Sequence, residues 1–148
     1  MARFKFRLDT LLRLREALRD QRRGELAQAY EAEQILGQHD AEIDSQIEAM
    51  VGDRRDASAA QVNVDRLMET QQYEMILQAE KRTIAQQREQ LDEEIERRRD
   101  ALVQADRDVR VLENLRERHL QRHRQREQQI EAKQLDEIGT IQFSREHG

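Results

Sequence analysis

Not one proline interrupts 148 residues in which apolar side chains return every three or four positions, and the two features together commit the chain to long helices. Leu8, Leu11, Leu18, Ala29, Ala32, Leu36, Ile43, Ile47 and Met50 form one such ladder, which predicts a first helix over about residues 7–51. Arg15, Arg22, Glu25 and His39 occupy other steps of the ladder, so its seam should hold a partner loosely. A second ladder is cleanest at Leu91, Ile95, Leu102, Ala105, Val109 and Leu112, with Arg98 at one polar step. Leu67, Leu77 and Ile84 extend it backward and Leu120 and Ile130 forward, predicting a second helix over about 62–139 that Gly139 stops. Gly52 opens a break between the two ladders, so the hinge is expected over about 52–61, with Ser58 and Gln61 as a capping box.

Composition supports helices that pack thinly. Only 36% of the chain is apolar, 39% is charged and the mean hydropathy is -1.04, which leaves no material for a wide core. Five aromatic residues (Phe4, Phe6, Tyr30, Tyr73 and Phe143) are the whole supply. The 26 basic and 31 acidic residues nearly cancel, to a net -5, so the self-repulsion that keeps polar chains expanded is missing. Cysteine is absent, which excludes disulfides, thiolate nucleophiles and thiolate metal sites. Asp9, Arg13, Arg15 and Glu16 break any apolar run near the start, so neither an export signal nor a membrane span is expected.

Charge blocks bear on how the helices pair. Residues 1–23 carry eight basic and three acidic side chains, whereas 24–53 carry eight acidic and no basic ones. In a parallel homodimer each block would meet itself. In a hairpin turning near Ala57, residue i would face roughly 114 − i, so 1–23 would meet 91–113, where eight acidic residues outnumber five basic. Exposed pairs contribute only about 0–1 kcal/mol each, enough to rank arrangements. The reading is therefore all-α: an elongated antiparallel two-helix coiled-coil hairpin with a longer second helix, forming a single coiled-coil domain over 1–148. Residues beyond about 113 would then overhang as an unpaired amphipathic helix, which calls for a protein partner.

Little in the chain suggests catalysis. The five glycines are scattered and build no phosphate-binding loop, and carboxylates such as Asp92-Glu93-Glu94 have no desolvated cleft to shift a pKa. His119 and His123 share a helical face, but five arginines between Arg116 and Arg126 surround them and oppose a dication. We expect no metal and no cofactor. That stretch sums to +4 over 116–126 and suits an acidic protein partner; nucleic acid is the lesser reading, because no aromatic interleaves the arginines. At the start, Phe4 and Phe6 alternate with Lys5 and Arg7, an aromatic and cationic cluster of the kind that anchors interfaces. Tyr73 and Leu77, one turn apart, form a second aromatic-aliphatic pair, with packing against the first helix the expected role.

The two ends carry a resemblance. The opening Phe4-x-Phe6-x-Leu8-x-x-Leu11-Leu12-x-Leu14-Arg15 and the closing Glu131-x-Lys133-x-Leu135-Asp136-Glu137 resemble those of the FliJ family, small coiled-coil proteins of the bacterial flagellar export apparatus. Length, the missing proline and the two-helix layout agree with it across nearly the whole chain. The resemblance implies a non-catalytic stalk, similar to the central shaft of rotary ATPases, that binds the hexameric flagellar export ATPase and promotes its assembly and activity. It implies two further partners, the membrane protein of the export gate and the chaperones of late export substrates, and a cytoplasmic place at the inner face of the inner membrane.

On the same resemblance Phe4, Phe6, Leu8, Leu11 and Leu12, with Lys133, Leu135, Asp136 and Glu137, would face the ATPase ring. Tyr73 and Leu77 are the nearest matches to the gate-contacting aromatic and leucine, although Glu80 and Ile84 replace a small residue and a histidine of that pattern. Other readings of the residues are a general coiled-coil chaperone or scaffold, the stalk of another type III secretion system, and, lower, a nucleic-acid-binding helical protein. A dimer in crystals is a further expectation.

Overall fold

A computed structural model describes residues 2–59 and 63–148, with side chains described up to 56 and again from 63. Helix α1 spans Asp9–Ala59 and helix α2 spans Val64–His147, and the two form a helical hairpin whose second arm is the longer. Among the described residues there is no strand, and no helix is long and apolar enough to cross a membrane.

Helix α1 starts two residues later than the ladder suggests. Ala2–Phe6 is irregular, residues 7 and 8 turn, and the Asp9 amide donates to the Phe6 carbonyl at 3.2 Å. Asp9 then places a carboxylate in the positive first turn and takes an ion pair from Arg13 at 3.2 Å. At its other end α1 continues through Gly52, where the sequence suggests the hinge, as far as Ala59. A glycine inside a helix costs only about 1 kcal/mol and has no obligation to break it. The additional turns are tied across the hairpin by the ion pair of Arg54 with Glu74.

Helix α2 is capped by Asn63, whose side-chain oxygen accepts from the Asp65 amide at 3.2 Å, while its carbonyl accepts from Leu67 at 3.1 Å. The expected capping pair, Ser58 and Gln61, lies outside the described side chains. Gly139 does not end α2, which runs on to His147 with Arg145 and His147 in its negative last turn.

The chain divides into two compact units. One comprises Gln21–Leu102. Its core is Ile43, Leu77 and Ile84, with Leu36, Ile47 and Met50 packed against it. Ala29 and Ile95 are also buried. Arg98, the expected polar step, donates to the Glu25 carbonyl at 2.6 Å and to Glu94 at 2.9 Å. Bonds from Arg97 and then Arg98 hold the Glu94 carboxyl below its ordinary pKa. Arg99 bonds the Tyr30 hydroxyl at 2.8 Å, and Arg88 bonds Glu33 at 2.8 Å. Lys81 pairs with Asp44, whose hydrogen bond and charge raise the lysine pKa.

The other unit comprises the residues up to Asp20 and Val103–Gly148. Phe6, Leu12, Val109 and Leu112 form its core, with Phe4, Leu8 and Leu115 packed on them. The ladder predicts Leu11 in the seam, but Leu12 takes that place at 6% exposure and Leu11 is left at 36%. The irregular entry before Asp9 sets the phase of this first turn, and with it the face that turns inward.

Within each unit the register differs from the expected one. Asp44 meets Lys81 and Phe6 meets His119, so residue i faces about 125 − i rather than 114 − i. The charge-block argument fails with it. The first 20 residues, six basic and three acidic, face roughly 105–124, with six basic and four acidic residues: +3 opposite +2. In the other unit, 24–53 at -8 faces roughly 72–101, whose eight acidic and six basic residues sum to -2. Apolar seams and individual ion pairs hold the hairpin, including Arg15 with Asp108 at 3.7 Å and Arg88 with Asp40 at 3.8 Å. Block attraction does not.

Candidate partner-docking surfaces

The residues expected to meet a partner separate into buried and exposed groups. Phe6 and Leu12 are core, and Phe4 and Leu8 pack on that core. The Phe6 ring meets His119 edge-on, with centroids 5.7 Å apart, and Phe4 lies tilted against His123 at 5.6 Å. His123 also donates from Nε2 to the Ala2 carbonyl at 3.0 Å and has Glu127 at 4.0 Å. The imidazoles that share one face of α2 therefore clamp the N-terminal segment onto the helix, an arrangement that sequence spacing alone does not reveal.

Lys133, Leu135, Asp136 and Glu137 lie in the part of α2 that no residue of α1 covers. Every residue from 128 to 148 is exposed. At 100° per residue Ile130, Ile141, Ile138 and Leu135 fall within about 140° of arc, and each is between 49% and 68% exposed. Phe143 lies on another face, stacked on His147 at 4.2 Å. The overhang thus presents an amphipathic stripe with no cover within the chain. It begins some eleven residues later than the expected 113, because the register is shifted by that amount. The structure does not bring Lys133 to Glu137 against the N-terminal segment, which pairs with α2 around His119 and His123.

In the unit comprising Gln21–Leu102, Leu77 is 3% exposed and belongs to the core, as does Ile84, whereas Tyr73 is 49% exposed. Glu80 sits 3.5 Å from His39. Sequence reading missed a third feature. Val64, Met68 and Met75 are each more than half exposed and share a narrow arc of α2 on the side away from Leu77 and Ile84. Methionines on an open helix face make adaptable contacts. The signal was present at spacings of four and seven residues, but the stronger seam through Leu67, Leu77 and Ile84 masks it.

Among the described residues no group of three or more histidine, cysteine or carboxylate side chains is placed to hold a metal. The open concavity beside Phe4 is walled mainly by cations.

Comparison with known proteins agrees with this picture of an interaction helix pair. No curated protein and no solved structure matches the chain significantly. A family model described as "Flagellar FliJ protein" matches residues 4–148, from the clamped Phe4 to the end of the overhang. By that match over nearly its whole length, the chain belongs to the FliJ family and is a component of the flagellar export apparatus.

Proposed function

We propose that the chain is a non-catalytic stalk that binds the ring of the flagellar export ATPase, promotes its assembly and activity, and links it to the export gate and to the chaperones of late substrates. The observation that carries this reading is the uncovered amphipathic stretch of α2 beyond the hairpin. Ile130, Leu135, Ile138 and Ile141 expose apolar surface that would gain about 1–2 kcal/mol per side chain on full burial, each being about half to two-thirds exposed in the free chain. Lys133, Asp136 and Glu137, with the half-exposed Leu11, supply polar and apolar rim contacts. Phe4, Phe6, Leu8 and Leu12 act indirectly, by holding the N-terminal segment in place.

Binding energy alone promotes assembly on this reading. A stalk that prefers the hexamer over free subunits shifts the assembly equilibrium by mass action, with no bond made or broken by the stalk. The gate contact falls to the hinge half. Tyr73, Met68 and Met75 supply exposed surface there, while Leu77 belongs to the core. The stalk would work in the cytoplasm at the inner face of the inner membrane, reaching the membrane through its partners.

The test is to add the purified chain to the flagellar export ATPase and follow both hydrolysis rate and hexamer formation. Both should rise with added chain and saturate. If neither changes, the function proposed is wrong.

A further inference from the structure

The like-charged register has a chemical outcome at the N-terminal segment. A groove of about 400 Å³ opens between that segment and α2. Arg3, Phe4 and Lys5 of the segment line it together with Arg122, Arg126 and the two imidazoles of α2. None of these four cations has a carboxylate within salt-bridge distance among the described residues. Arg15, Arg54, Lys81, Arg88 and Arg98 elsewhere in the hairpin each have one. Glu127, next to Arg126 in the chain, lies 4.0 Å from His123.

Four uncompensated charges facing one concavity repel one another and raise the local potential, and an anionic ligand removes that cost. We propose that this groove receives an acidic segment of a protein partner, one in which carboxylates flank an apolar side chain. It deepens the stalk reading only in taking the occupant to be protein.

Three features select that occupant. Arg122 and Arg126 stand one turn apart on α2, and Arg3 and Lys5 stand two residues apart on the N-terminal segment, so two basic rows accompany the single apolar ring of Phe4. Guanidinium forks bind carboxylates bidentately, and Phe4 offers the apolar side chain a contact. The groove extends across seven residues, more than one small anion occupies. Nucleic acid is the poorer fit, because each ring that lines the groove is already in a ring contact, Phe4 with His123 and His119 with Phe6, which leaves no free face for a base to stack on.

The experiment measures fluorescence anisotropy of labelled poly-L-glutamate on titration with the full chain, at two salt concentrations. Binding is expected, weakening as salt rises. Arg122→Gln with Arg126→Gln should weaken it by about tenfold or more, while Arg82→Gln with Arg107→Gln, exposed cations outside the groove, should change it by less than about twofold. All four sites are exposed, so circular dichroism should be unaltered. Equal losses from both pairs, no loss from the groove pair, or tighter binding of pyrophosphate or single-stranded DNA than of the peptide would each overturn the proposal. Export ATPase stimulation measured on the same samples separates the two ideas. Stimulation without peptide binding removes the groove and leaves the stalk; groove-dependent peptide binding without stimulation does the reverse.

Discussion

Phe6→Ala is expected to destabilise the unit that holds the N-terminal segment by about 3 kcal/mol, the lower end of the range for deleting a buried phenylalanine. Phe6 is 8% exposed and touches the cluster of Leu12, Val109 and Leu112, so removing the ring leaves a cavity bounded by both helices. It also removes the edge-on contact with His119. The irregular backbone of Ala2–Phe6 can close partly over the space left, which places the value at the low end. Phe4→Ala should cost less, because Phe4 packs on the cluster from outside. Amide hydrogen exchange is the readout. The double variant should speed exchange at residues 8–20 and 103–120 and leave Leu36–Met50 almost unchanged, because that stretch packs in the other unit. Unaltered exchange would show that these rings are free rather than core.

The second large effect concerns the overhang. Leu135→Ser, Ile138→Ser and Ile141→Ser together should lower affinity for the export ATPase at least about a hundredfold, because three apolar side chains that partner burial would reward are lost. The same changes should alter the stability of the free chain by no more than about 0.5 kcal/mol each, since the three are exposed and contact nothing in the seam. Affinity by sedimentation or surface binding and stability by urea titration keep the two quantities apart. Full stimulation by the triple variant would place the docking surface elsewhere.

Helical class and seam membership were legible in the sequence. Leu36, Ile43, Ile47, Leu77, Ile84, Ile95, Ala105 and Val109 fall where three- and four-residue spacing puts them, because helix geometry fixes which side chains share a face. Register was not legible. An offset of eleven residues is very close to three helical turns, so sliding one ladder along the other by that amount returns apolar positions to apolar positions. The register then depends on where α1 stops, at Gly52 as the sequence suggests or at Ala59 as the structure has it. Gly52 looked like the stop, yet a single glycine is a weak breaker, and the effective signal was Asn63 with Asp65 two residues on.

The candidate surfaces were legible in part. The overhang followed from unequal helix lengths, but its start moved with the register. The N-terminal phenylalanines carry an interface signature in the sequence, and the structure adds that Phe6 is core and Phe4 packs on it, because aromatic clusters serve cores and interfaces by the same physics. The basic groove was invisible beforehand. Its two rows lie more than a hundred residues apart in the chain, and the expected register would have set the first row against a net acidic stretch.

That register is the claim on which the groove, the length of the overhang and the clamp on Phe4 and Phe6 all rest. Because the chain has no cysteine, paired substitutions report on it cleanly. Asp44→Cys with Lys81→Cys should link rapidly within one chain through a short bis-maleimide, whereas Asp44→Cys with Thr70→Cys, separated by a further 16 Å or so along the helix, should not. Linking of the second pair in preference to the first would contradict the account.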